Sequence, residues 1–110
     1  MKVIQTDKFK KQLRSKKLQK NHKNRIRKIL NLLYLYENFE ELENCSIANA
    51  IYKFERLKYS LNAYFSFRLD NKEIRLLVRP NTIIDYNKLA LENEILIVEI
   101  SFKHYKHLNL

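Results

Sequence analysis

Apolar residues recur along this chain with two different periods, and the change from one to the other divides it. The first half is helical in spacing after a brief opening strand at Val3 and Ile4. Thr6 or Asp7 is placed to cap a helix, its side-chain oxygen accepting from the first N–H groups. Phe9, Leu13 and Leu18 are the inward positions, with Lys8, Lys10, Lys11, Arg14 and Lys17 around the outside. The polar stretch 19–24 reads as a connection. Ile26, Ile29, Leu30, Leu33 and Tyr36 then recur at intervals of three and four, which predicts a second helix from about Asn24 to Glu37. The two helices are expected to pair as an antiparallel hairpin with a basic outer side. Glu37 to Glu43 is acidic and reads as a loop or a short helical turn, while Ser46 to Tyr52 stays open between states.

The second half alternates with period two. Phe65, Phe67 and Leu69 point one way, and Tyr64, Ser66 and Arg68 the other; Ile74, Leu76 and Val78 alternate with Arg75, Leu77 and Arg79. Asp70-Asn71 is a plausible two-residue hairpin turn. It would set Phe67 opposite Ile74, Phe65 opposite Leu76 and Ser66 opposite Arg75, so that the apolar faces coincide. Pro80 ends the second strand. The connection 81–93 reads as an extended hairpin or a short helix. Ile95 to Ile100 is apolar at nearly every residue and predicts a central strand. The order is β-α-α-β-β-β. The expected fold class is α+β: one domain over 1–110, a small antiparallel-rich sheet with an N-terminal helical hairpin on one face. The other face carries Tyr64, Ser66, Arg68, Arg75 and Arg79.

Composition narrows the setting. A chain of 110 residues builds one domain with one modest core, and 45% hydrophobic residues is a globular value. There is no Gly and a single Pro, so tight turns fall to Asn, Asp or Ser. Cys45 is alone, which excludes an internal disulfide and fits a reducing cytoplasm. No apolar run approaches the roughly 18 residues of a membrane span, and the first residues lack a signal-peptide pattern. A cytoplasmic protein without a membrane partner is expected.

Charge changes the picture more. The net charge is +10, and residues 1–28 hold 12 of the 22 Lys and Arg with Asp7 as their one acid. A concentrated basic lobe suits a polyanion such as nucleic acid. An Arg- and Tyr-bearing sheet face suits a groove for RNA or another anion. Cleaving an RNA phosphodiester without a metal needs a base for the 2′-OH, cations for the phosphoryl oxygens and an acid for the leaving oxygen. Glu55, Lys58, Arg68, Arg75, Arg79, His104 and Tyr105 cover these needs. His22, His104 and His107 lack Cys or carboxylate partners at metal-ligand spacing, and no Gly-rich phosphate loop exists. No metal and no cofactor are expected. The plain alternatives are a Glu55 paired with Lys53 or Lys58, an Arg68 paired with Glu73, and a His104-Tyr105 pair that merely packs.

At these residues the chain resembles the YoeB branch of the RelE/ParE toxin superfamily, the ribosome-dependent mRNA interferases of type II toxin–antitoxin systems. The likeness rests on Glu55-Arg56-Leu57-Lys58, on Leu61, on Ser66-Phe67-Arg68-Leu69, on the strand Ile74-Arg75-Leu76-Leu77-Val78, and on His104-Tyr105. The opening Met1-Lys2-Val3-Ile4 followed by a basic helical hairpin is also similar. The resemblance covers most of the chain; the connection 80–94 is longer than the family's, and five residues follow Tyr105.

The resemblance implies a RelE-like fold and translation inhibition by cleavage of mRNA in the ribosomal A site. Glu55 would be the general base and Arg75 would stabilise the pentavalent phosphate, helped by Arg68 and Lys58. His104 would supply or orient the general acid, and Tyr105 would position the substrate. Lys58, Arg68, Arg79 and Tyr64 would bind RNA. The implied partners are the ribosome, mRNA and a cognate acidic antitoxin, with a homodimer left open. Two other functions stay in view: a non-nuclease toxin of the same superfamily acting on DNA gyrase, and a non-catalytic RNA- or ribosome-binding protein.

Overall fold

A computed structural model of the chain describes residues 1–57, 64–82 and 86–102. Lys58, His104 and Tyr105 fall outside the described residues. The fold is α+β. The elements run β1 (Lys2–Gln5), α1 (Asp7–Gln12), α2 (Lys20–Leu35), α3 (Phe39–Glu43), α4 (Ser46–Ala50), β2 (Glu55–Arg56), β3 (Phe65–Arg68), β4 (Arg75–Pro80), a 3-10 helix (Tyr86–Leu91) and β5 (Glu94–Ser101). The strands form one mixed sheet in the order β1-β5-β4-β3-β2. β1 runs parallel to β5, and every other neighbouring pair is antiparallel. No described helix is long and apolar enough to cross a membrane.

Local chemistry accounts for the helix starts. Thr6 is the N-cap of α1, its hydroxyl oxygen accepting from Phe9 N at 3.1 Å. α2 begins at Lys20, four residues before the periodicity predicts. The cause is His22, which is buried and whose Nδ1 accepts from Gln19 N at 3.2 Å. An imidazole there does the work usually left to a Glu or Gln in a capping box. The acidic cluster holds a one-turn-and-a-bit helix, α3, capped by the Asn38 side chain on Glu41 N. Glu40 and Glu41 sit in its first turn, where the helix dipole favours them. The 46–52 stretch is α4 and its exit, and 81–93 contains the 3-10 helix.

The core lies between the helices and one face of the sheet. Phe9, Ile26, Ile29, Leu33, Phe39, Leu42 and Ala48 cluster there with Phe65, Phe67, Leu76, Val78, Ile95, Ile97 and Ile100. Phe54 stacks on Phe65 at 4.9 Å between ring centroids and also meets Phe67 at 4.6 Å. Each fully buried Phe or Leu contributes about 2 kcal/mol by leaving water.

Two features of the sheet decide what its other face presents. The first is the β3–β4 hairpin. Leu69 N donates to Ile74 O at 3.0 Å, which closes a four-residue loop at 70–73 in place of the two-residue turn. The pairing is Phe65 with Val78, Ser66 with Leu77, Phe67 with Leu76 and Arg68 with Arg75. The expected register is therefore displaced by two residues. A tight two-residue turn needs positive φ, and among the described residues only Lys53 adopts it. The loop is built instead on the Asp70 carboxylate, whose Oδ1 accepts from Lys72 N at 2.8 Å and Ile74 N at 3.3 Å.

The second feature is a bulge in β5. Leu77 pairs with Glu99 while Val78 pairs with Ile97, leaving Val98 as the extra residue. The bulge lets Ile97 and Ile100 both face the core although they are three apart, and it turns Glu99 to the opposite face. β1 stops at Gln5, and α1 serves the β5 edge beyond it. Thr6 Oγ1 donates to Val98 O, and the Gln12 amide donates to Ile100 O at 2.9 Å while accepting from Ile100 N at 2.6 Å. Side chains thus complete the ladder where a strand would otherwise be exposed.

Candidate functional site

The face opposite the core carries its polar groups in register. One row crosses four strands: Glu55 opposite Ser66, Ser66 opposite Leu77, Leu77 opposite Glu99. A second row, nearer the β3–β4 loop, runs Arg68, Arg75, Ser101. Arg79 lies on the far side of the first row, opposite Leu96. Tyr64 is half-buried just before β3, and its carbonyl accepts from Leu57 N at 2.9 Å. Glu55, Arg68, Arg75 and Arg79 are thus gathered on one face as expected, with Tyr64 beside them.

The two arginines are directly opposed, a feature the expected register did not contain. Directly opposed like charges disfavour a sheet pair. Both side chains are only partly exposed, and the Nε of each is buried with no hydrogen-bond partner among the described residues. Arg75 is steered by its own loop, its Nη1 donating to Lys72 O at 3.0 Å and Ile74 O at 3.3 Å. Two guanidiniums with buried donors to spare, one of them held by its loop, make a candidate anion site, because an oxyanion would satisfy those donors and offset the repulsion.

Glu55 stands at the sheet edge on the two-residue strand β2, exposed. Among the described residues it makes no ion pair with Lys53, and Arg68 makes none with Glu73; Lys58, the other partner considered for Glu55, lies outside them. β2 and β4 lie two strand spacings, about 10 Å, apart.

The centre of the face is filled rather than hollow. Ser66, Leu77 and Ser101 are completely buried, and Glu99 nearly so, its carboxylate paired with Lys8. Glu99 and Lys8 were not singled out by spacing; the bulge that turns Glu99 outward leaves no trace in periodicity. Arg25 is another residue that sequence reasoning missed. Its Nε donates to the Arg68 carbonyl at 2.8 Å, its Nη2 donates to Ile51 O at 2.5 Å, and it lies 5.0 Å from the Tyr52 ring centroid. In the sequence it is one more cation of the basic lobe. Eleven of the twelve basic residues in 1–28 are exposed, and Arg25 is the exception. Among the described residues the acidic stretch 37–43 forms no ion pair with that lobe; Glu41 instead accepts from Glu37 N at 2.8 Å.

Comparison with protein-family models, with curated proteins and with solved structures finds no match to this chain.

Proposed function

We propose that this face is an RNA groove and that the protein is a metal-independent endoribonuclease of the mRNA interferase kind. The observation that carries the reading is the direct opposition of Arg68 and Arg75, each with a buried, unpartnered Nε, on the face that also holds Glu55. Cleavage would proceed by transfer within the RNA. The Glu55 carboxylate takes the 2′-OH proton, the 2′ oxygen attacks phosphorus, and the bond to the 5′ oxygen breaks. Arg75 and Arg68 stabilise the charge on the non-bridging oxygens, a role fixed cations fill best where water is partly excluded. The leaving oxygen takes a proton from an acid that the resemblance assigns to His104 or to a group that His104 orients. The products are a 2′,3′-cyclic phosphate and a 5′-OH, with no change of oxidation state.

The basic lobe would grip ribosomal RNA, and an acidic antitoxin would neutralise the same charges. The setting would be the bacterial cytoplasm. The test is 5′-end mapping on an mRNA in a bacterial cell-free translation system, with a ribosome-free control. New ends inside codons only when ribosomes are present are expected, and Glu55→Gln or Arg75→Ala should remove them. Full cleavage by both variants overturns the assignment.

A second reading is a non-catalytic RNA binder. The exposed edge position of Glu55 favours it, because a general base gains from partial desolvation. Salt-sensitive RNA binding without new 5′ ends, unaltered by Glu55→Gln, would select it.

A further inference from the structure

On the helix side of the β3–β4 loop lies a cleft of about 490 Å³, walled by α2, the exit of α4 and residues 69–71. Three primary amides line it, Asn21, Asn24 and Asn71, together with Arg25, Lys28 and Asp70, whose carboxylate is engaged by Lys72 N, Ile74 N and His22. The three asparagine side chains are exposed and make no hydrogen bond among the described residues. Arg25 is different in kind. Two backbone carbonyls and the Tyr52 ring hold its guanidinium in place.

These groups match one ligand chemistry. A primary amide offers a donor pair beside an acceptor, the pattern on the edge of a nucleobase. A guanidinium fixed against an aromatic ring is a platform on which a base stacks. Lys28 adds a cation for a phosphate. A small inorganic anion would leave three amides unused, and an apolar ligand would leave them unpaired. The cleft also joins the opposite face through a single peptide. Arg25 donates to the carbonyl of Arg68, whose side chain belongs to the anion site beyond the sheet. The exposed Lys72 sits on the loop between them.

We propose that this cleft holds one nucleotide of the single-stranded RNA whose phosphate rests on Arg68 and Arg75. The inference depends on the RNA reading of that face, and the experiment separates the two. The full chain, labelled with nitrogen-15, is titrated with adenosine 5′-monophosphate, with inorganic phosphate and with a short oligoadenylate, and side-chain signals are followed by NMR. The mononucleotide is expected to move the Asn21, Asn24 and Asn71 amide signals saturably. Phosphate should move the Arg68 and Arg75 Nε–H signals and leave the asparagines in place. The oligonucleotide should move both sets and bind more tightly than the mononucleotide. Asn21→Ala combined with Asn24→Ala should weaken mononucleotide binding about five-fold, the worth of one neutral hydrogen bond.

Unmoved asparagine signals, or a double variant that binds like the parent, overturns the cleft site whatever phosphate does. Asparagine shifts without any arginine response to phosphate would keep the nucleotide site and remove the support for the RNA groove opposite. An oligonucleotide no tighter than the mononucleotide would overturn the shared-strand part of the proposal and leave a free nucleotide as the ligand.

Discussion

Arg68 stands directly opposite Arg75 across β3 and β4, and neither Nε has a hydrogen-bond partner among the described residues. The pair is mildly repulsive when empty, by up to about 1 kcal/mol. An oxyanion reverses that sign. Phosphate at 100 times its dissociation constant would stabilise the fold by about 2.7 kcal/mol. Thermal melts in rising phosphate, matched in ionic strength with chloride, should show a climb of about ten degrees for the parent chain. Arg75→Gln should start at or above the parent without phosphate and climb little. An equal climb in both would place the anion elsewhere.

Gln12 replaces a missing strand neighbour at Ile100. Its amide makes two hydrogen bonds to one residue's backbone, and each is worth about 1 kcal/mol net. Gln12→Ala is expected to cost about 2 kcal/mol in denaturant unfolding, read as a lower midpoint at unchanged slope. Gln12→Glu keeps an acceptor for Ile100 N but cannot donate to Ile100 O when ionised, so it should recover no more than half. Amide exchange at Ile100 should quicken in the alanine variant.

Asp70 ties the turn to α2. One oxygen accepts from Lys72 N and Ile74 N, and the other lies 3.2 Å from His22 Nε2. Because His22 Nδ1 accepts from Gln19 N, the ring proton belongs on Nε2, where it is donated to Asp70. Asp70→Ala should cost about 3 kcal/mol, since several polar groups lose a partner at once. It should also weaken phosphate binding, because Lys72 O and Ile74 O steer Arg75. Asp70→Asn retains an acceptor for the turn and should lose much less. An alanine variant with parental stability would show that the turn does not need the carboxylate.

Cys45 carries a pH dependence of its own. Burial pushes its thiol up, but hydrogen bonds from the Tyr36 hydroxyl and from Ala48 and Ile47 N–H outweigh it and leave the thiol below its ordinary value. Tyr36 moves the opposite way, raised mainly by its hydrogen bond to Cys45. A lowered thiol stabilises the fold above the ordinary cysteine value, and that contribution is lost as pH falls through the lowered one. A raised phenol withdraws stability above the ordinary tyrosine value, near 10. Stability should therefore rise through the mildly alkaline range and fall beyond it. Tyr36→Phe should move the thiol titration upward, as read by ultraviolet thiolate absorbance; an unmoved titration would remove Tyr36 as the cause.

Much of this molecule was legible before folding. The cap of α1 was narrowed to Thr6 or Asp7, and Ile26, Ile29 and Leu33 marked the buried stripe of α2. The alternation 64–69 and 74–79 put Arg68, Arg75 and Arg79 on one face. What stayed hidden has a common physical cause. Moving a hairpin by two residues leaves every side chain on the same face, so hydrophobic pattern cannot distinguish Ser66 opposite Arg75 from Arg68 opposite Arg75. The start of α2 was equally silent, because a His cap becomes visible only when His22 is buried against Asp70.

By itself, then, the sequence determined β1, α1, most of α2 and the strands β3, β4 and β5, their faces and the basic lobe, because these follow from spacing and side-chain type over a few residues; it did not mark β2 and left 37–43, 46–52 and 81–93 open. The tertiary structure alone decided which arginines meet, where β5 bulges, and that Arg25 is fastened to the back of the Arg68 peptide. Those outcomes depend on which distant backbone groups find partners, and such pairing is settled only when α2, α4 and the sheet are packed together.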